Sequence, residues 1–191
     1  MSTLVMMPAR LARRFSRRLR RLVRDKRGVS AVEFAMLLPL MVTLYLGGVE
    51  ISQAVAIDRK VTLISRTLAD LVAQVTSVSS SDMTNILAAS SAIVAPYATT
   101  NLKITVSSVT ISSSNVATIA WSKTLNGTAR TVGSVVTLPA ALNVANTSLI
   151  WGEAKYAYTP TMGYVITGTL TLSDQIYMAP RLSTSVACNA C

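Results

Sequence analysis

From Phe34 to Val49 the chain runs FAMLLPLMVTLYLGGV without a charged residue, bracketed by Glu33 and Glu50. On a helix rising 1.5 Å per residue these two carboxylates stand about 25 Å apart, close to the roughly 30 Å hydrocarbon core of a bilayer. The apolar character continues to Ile57, and Asp58-Arg59-Lys60 then marks a return to water. The pattern predicts one membrane-spanning helix over 29–57, with no second segment of comparable length. Pro39 falls inside it, where a membrane helix tolerates proline as a kink. Gly47 and Gly48 permit a neighbouring helix to approach, although their spacing is not GxxxG and ordinary bending is the preferred reading.

Beyond the span, Val61, Ile64, Leu68, Leu71, Val75 and Val78 recur at intervals of three and four. That periodicity predicts that the helix continues as an amphipathic rod over 58–78, its apolar stripe packing on the protein's own sheet. Arg66 and Asp70, four apart, are placed to pair on it. Ser79-Ser80-Ser81 ends the rod, and Ser81 is positioned to cap a second helix from Asp82 to about Val94, closed by Pro96. Met83, Ile86, Leu87 and Ile93 supply its buried face. Strand signals follow: Leu102, Ile104 and Val106 alternate with polar residues, and Ala117, Ile119 and Trp121 do likewise before an Asn126-Gly127 turn. Ser134–Leu138, Ser148–Tyr158 and Tyr164–Tyr177 are further candidates, with 159–163 as the turn between the last two. The whole reads as an α+β chain: a long N-terminal helix, then a small antiparallel-sheet domain over 79–191.

Charge sharpens this outline. The net charge is +10, yet residues 1–27 hold nine Arg and one Lys against Asp25 alone, so they carry +9. Residues 28–191 hold eight basic and seven acidic side chains, leaving +1. A basic arm leading into an apolar helix is held on the cytoplasmic side and attracted by anionic lipid, so the domain beyond the helix lies outside. Nucleic acid is the poorer partner for it, because no aromatic stacking platform accompanies the arginines. The chain has no histidine, which removes the commonest general base and metal ligand. Glu153 and Asp174, on late strands, are the one carboxylate pair that could face each other; nothing in the sequence pairs them, and no catalytic or metal-binding set is expected. Cys188 and Cys191 are too few for a four-ligand zinc site and do not precede a helix as a redox motif does; in an oxidising compartment a local disulfide is expected. Ala54-Val55-Ala56 also reads as a signal-peptidase site, although the apolar run is long for a secretory signal.

The remaining feature is Arg27-Gly28-Val29-Ser30-Ala31-Val32-Glu33-Phe34. A carboxylate near the start of a membrane run costs about 2.5–3.5 kcal/mol on insertion scales, unless it lies close enough to the headgroups to stay solvated. This stretch resembles type IV prepilins, whose leader is cut after glycine and whose fifth mature residue is Glu. Glu33-Phe34 resembles the tight-adherence (Flp/Tad) variant. GVSAVEFAMLLPLMVTLYLGGVEIS is similar to the N-terminal signature of TadE/TadG-like pilus assembly proteins, with Ala31, Val32, Glu33, Phe34, Ala35, Pro39 and Glu50 in the family's places. Lys155–Pro160 and Ala179-Pro180-Arg181 resemble its late strand and closing segment more loosely.

The resemblance implies a pilin-like fold, with 1–28 a cytoplasmic leader and the domain in the periplasm of a bacterium, anchored in the inner membrane. It implies cleavage between Gly28 and Val29 by a prepilin peptidase, no cofactor, and as partners other pilin and pseudopilin subunits and the inner-membrane Tad machinery. The implied role is a minor pilin-like subunit of an adherence pilus rather than an enzyme. The alternative is a secreted or membrane-tethered binding or adhesion domain unrelated to pili.

Overall fold

The computed structural model describes residues 27–160 and 162–189. The arginine-rich arm before Arg27 and the terminal Cys191 lie outside them. The chain divides into two compact units, one ending at Gly47 and one beginning at Gly48.

Helix α1 runs Arg27–Ala73 with Pro39 inside it. In its first part the apolar side chains face outward: Phe34, Leu37, Leu40, Leu44 and Tyr45 are all more than half exposed. Pro39 has no N–H to donate to the preceding turn; four residues on, the Thr43 hydroxyl donates to the Pro39 carbonyl at 2.8 Å. Among the described residues α1 is the one helix long and apolar enough to cross a membrane, and none of its most apolar window is buried.

In the second unit α1 changes face. Glu50, Ala54, Ile57, Val61, Ile64, Leu68 and Val72 are buried, a stripe at steps of three and four. The packing stripe therefore starts eleven residues before Val61, and Glu50, Ala54 and Ile57, expected within the membrane segment 29–57, are buried in the domain, while Ile51 and Val55 between them stay exposed. The helix also stops five residues short of the expected Val78. Beyond Ala73 come Thr76, Ser77, Val78 and Ser79, poor helix formers, and the Ala73 carbonyl is taken by the Arg181 amide at 2.9 Å.

Val78 instead lies in a short strand, β1 (Ser77–Ser79). Helix α2 (Ser80–Ala92) follows directly. Its cap is Ser79 rather than Ser81: the Ser79 hydroxyl accepts from the Asp82 amide at 3.1 Å, and the Ser79 amide donates back to the Asp82 carboxylate at 3.1 Å. The chain then turns, and Lys60 Nζ donates to the carbonyls of Ile93 and Ala95 at 2.9 and 2.7 Å.

Strands β2 (Leu102–Ile111), β3 (Ala117–Leu125), β4 (Ser148–Tyr158) and β5 (Leu170–Met178) form an antiparallel sheet in the order β3-β2-β4-β5. Leu102, Ile104, Val106, Ile150, Ala154, Tyr156 and Tyr158 pack with the α1 stripe, Met83 and Leu87 in the main core. Gly152 lies beneath the helix, where an added Cβ would come within 2.7 Å of the Ser65 carbonyl oxygen and 3.0 Å of the Ala69 Cβ. The reverse face holds a smaller cluster, with Leu138 covering Val109, Ile111, Ala117, Ile119, Leu149 and Trp151.

Three strand expectations need correction. A bulge opposite Ser108 and Val109 inserts Ala120, so Trp121 joins the helix-side core while Ala117 and Ile119 face the other way. Ser134–Leu138 forms only an isolated bridge, Val135 to Thr118, between Gly133, whose φ is +79°, and Pro139. The last long strand starts at Leu170, not Tyr164, because the amides of 164–166 are committed elsewhere. Strand β6 (Ala187–Asn189), unforeseen, pairs in parallel with β1, and the Trp121 indole donates to the Val186 carbonyl at 2.8 Å. The fold is α+β: a long apolar N-terminal helix followed by a small antiparallel-sheet domain.

Candidate functional site

Gly28, Val29, Glu33 and Phe34 occupy the first turns of α1, all exposed; the Val29 and Phe34 side chains are 56% and 58% accessible. Gly28 has open space around a Cβ position, so packing gives no reason for glycine there. Pro39 is exposed within the helix, Gly47 is buried and Gly48 is exposed. Cys188 lies half-buried in β6, while its expected partner Cys191 is outside the described residues.

Glu50 is where the structure departs most from its expected role as a boundary charge. It is 4% accessible. One carboxylate oxygen accepts from the Tyr164 amide at 2.8 Å, and the other from Val165 and Ile166, both at 3.0 Å. Gly163, with φ +62°, turns the backbone so that three consecutive N–H groups converge on one anion. The Tyr158 hydroxyl faces two acceptors, the Glu50 carbonyl at 3.3 Å and Gln53 Oε1 at 3.2 Å. Burial, reinforced by the nearby Glu50 charge, pushes the Tyr158 phenol above its ordinary range and keeps it a donor. Sequence reading missed this clasp. Its signal was present, since Glu50 continues the three-four stripe of Ala54, Ile57 and Val61, and a carboxylate at a core-facing position requires donors.

On the reverse face of the sheet a polar groove of about 240 Å³ is lined by Lys103, Thr105, Thr128, Arg130, Glu153 and Lys155. Arg130 Nη2 lies 2.8 Å from Glu153 Oε2, and its guanidinium carbon sits 3.7 Å above the Trp151 ring. Trp151 in turn stacks on Tyr177 at 5.2 Å between centroids. The strand register answers the carboxylate-pair question. Glu153 stands opposite Gln175 and Asp174 opposite Ala154, so the two acids point to opposite faces. Asp174 approaches Ser65 at 3.4 Å instead. Asp70, expected to pair with Arg66, is engaged by Arg181. Among the described residues no group of His, Cys, Asp and Glu could hold a metal ion.

Residues 28–70 match a family model described as TadE-like protein. The match ends before the 155–160 and 179–181 segments. No curated protein and no solved structure gives a significant match. The matched family is one of pilus-associated structural proteins, and the matched stretch takes in the exposed apolar helix, Gly28, Glu33, Phe34, Pro39 and the buried Glu50. The similarity to TadE-like proteins is thus carried by residues 28–70, within the N-terminal helix of this chain.

Proposed function

We propose that this protein is a membrane-anchored minor pilin-like subunit for assembly of a Tad/Flp-type pilus used in surface adherence. The observation that carries this reading is the coincidence of the TadE-like match with a helix whose apolar side chains are exposed and whose first turns hold Gly28 and Glu33. In it, residues 28–49 span the inner membrane. The arginines before Gly28 stay on the cytoplasmic side against anionic lipid, and the sheet domain lies in the periplasm. There the compartment is oxidising, which suits a Cys188–Cys191 disulfide.

A prepilin peptidase then hydrolyses the Gly28–Val29 peptide bond. Water supplies the oxygen that completes a carboxylate on Gly28, and Val29 gains a protonated amine. The cut removes +9 of the +10 net charge. Within a filament of pilin and pseudopilin subunits, the Val29 ammonium neutralises Glu33 of a neighbour. A charge pair in a low-dielectric layer offsets the cost of burying either ion and sets the axial register.

Glu33→Ala is expected to insert normally and to be cut when a prepilin peptidase is co-expressed, yet to fail to enter assemblies. Membrane fractionation, mass measurement of the mature amino terminus and pilus yield read the three steps separately. Normal piliation by the Ala variant would remove the role given to Glu33, and an unprocessed chain beside an active peptidase would remove the cleavage.

A further inference from the structure

The loop between β4 and β5 turns the amides of 164–166 inward and the side chains of Met162, Tyr164 and Val165 outward, while Ile166 packs against the core. Met162, Tyr164 and Val165 are 67%, 56% and 48% accessible, while the amides of Tyr164, Val165 and Ile166 are spent on Glu50. Amides satisfied within the protein enter a poorly hydrated medium at much lower cost than open ones. The loop's anchor point is Glu50, which lies between the exposed apolar residues Val49 and Ile51 near the end of the apolar part of α1.

We propose that residues 162–165 are a second, interfacial membrane anchor. In it, Met162, Tyr164 and Val165 enter the headgroup and outer acyl region of the bilayer at the level where α1 emerges. Glu50 is the positioning residue that clasps the loop there. Tyr164 suits this depth, because a phenol ring has an apolar body and a polar tip and concentrates at such interfaces. The inference rests on the reading of residues 28–49 as a membrane span.

The test uses the full chain in phosphatidylethanolamine–phosphatidylglycerol vesicles whose acyl chains carry bromine, a short-range quencher of indole emission. Tyr164→Trp and Met162→Trp report on the loop and Leu44→Trp on the span; the native Trp121 and Trp151, both buried, supply the background to subtract. The expected result is loss of the added emission at 44 and at both loop positions. Quenching at 44 with none at 162 or 164 overturns this inference alone, and is the outcome if the loop contacts another subunit or water. Absence of quenching at 44 overturns the span and the inference with it. Adding Glu50→Gln should weaken quenching at 164 and leave 44 unchanged, with near-ultraviolet circular dichroism verifying the fold. Undiminished quenching in that variant overturns the clasp.

Discussion

Gly152 is the residue on which the contact between helix and sheet depends most directly. Its missing side chain admits the Ser65 and Ala69 turn of α1, and backbone cannot yield as a flexible side chain does. Gly152→Ala is expected to destabilise the domain by about 1–3 kcal/mol, read as a lower denaturation midpoint with an unchanged slope. Neither this glycine nor the clasp was identified from sequence, for different reasons. Gly152 sits within an otherwise ordinary strand pattern, and only the opposite surface explains it. Glu50 drew attention as the first charge after a long uncharged run, which made it look like a boundary. Its position on the three-four stripe carried the better information, but the donors that complete it lie more than a hundred residues away and leave no local pattern.

At the scale of elements, strong periodicity was readable and ends were not. Ser148–Tyr158 has the predicted bounds because alternation and flanking turn residues agree. The α1 stripe was recognised but placed too late along the chain, since Glu50 does not register as apolar and the residues from there to Ile57 read as part of the membrane run. The bulge at Ala120 divided what looked like one face, and β1 and β6, three residues each, are too short to show a period. The capping box of α2 offers a direct measurement. Ser79→Ala is expected to cost about 1 kcal/mol. The Ser79 hydroxyl, and after it the Ser79 amide, hold the Asp82 carboxyl below its ordinary value. The native state therefore favours the ionised form. Its contribution is complete above the ordinary aspartate value of about 3.9 and is lost as pH falls from there through the lowered native value. Unfolding followed between pH 6 and 2 should show a shallower acid-side decline for Ser79→Ala than for the parent.

For the molecule as a whole, the α+β plan and the long apolar helix followed from sequence, because they rest on the strongest patterns. The closing segment did not, because its contacts are non-local. A chain beginning at Gly48 keeps every member of the main core. It is expected to fold as a soluble monomer without detergent, as judged by size-exclusion chromatography and near-ultraviolet circular dichroism; aggregation would mean that residues before Gly48 complete the fold. The pairing of β1 with β6 also constrains the order in which the domain can be completed. Arg181 engages Asp70 across 111 positions, and the 187–189 strand lies on the stretch that follows α1. A nascent chain therefore emerges with its first half-built layer still lacking a clamp. Until residues 181–189 have been added, the 77–79 segment has no strand to pair with in this way and Asp70 lacks its Arg181 contact.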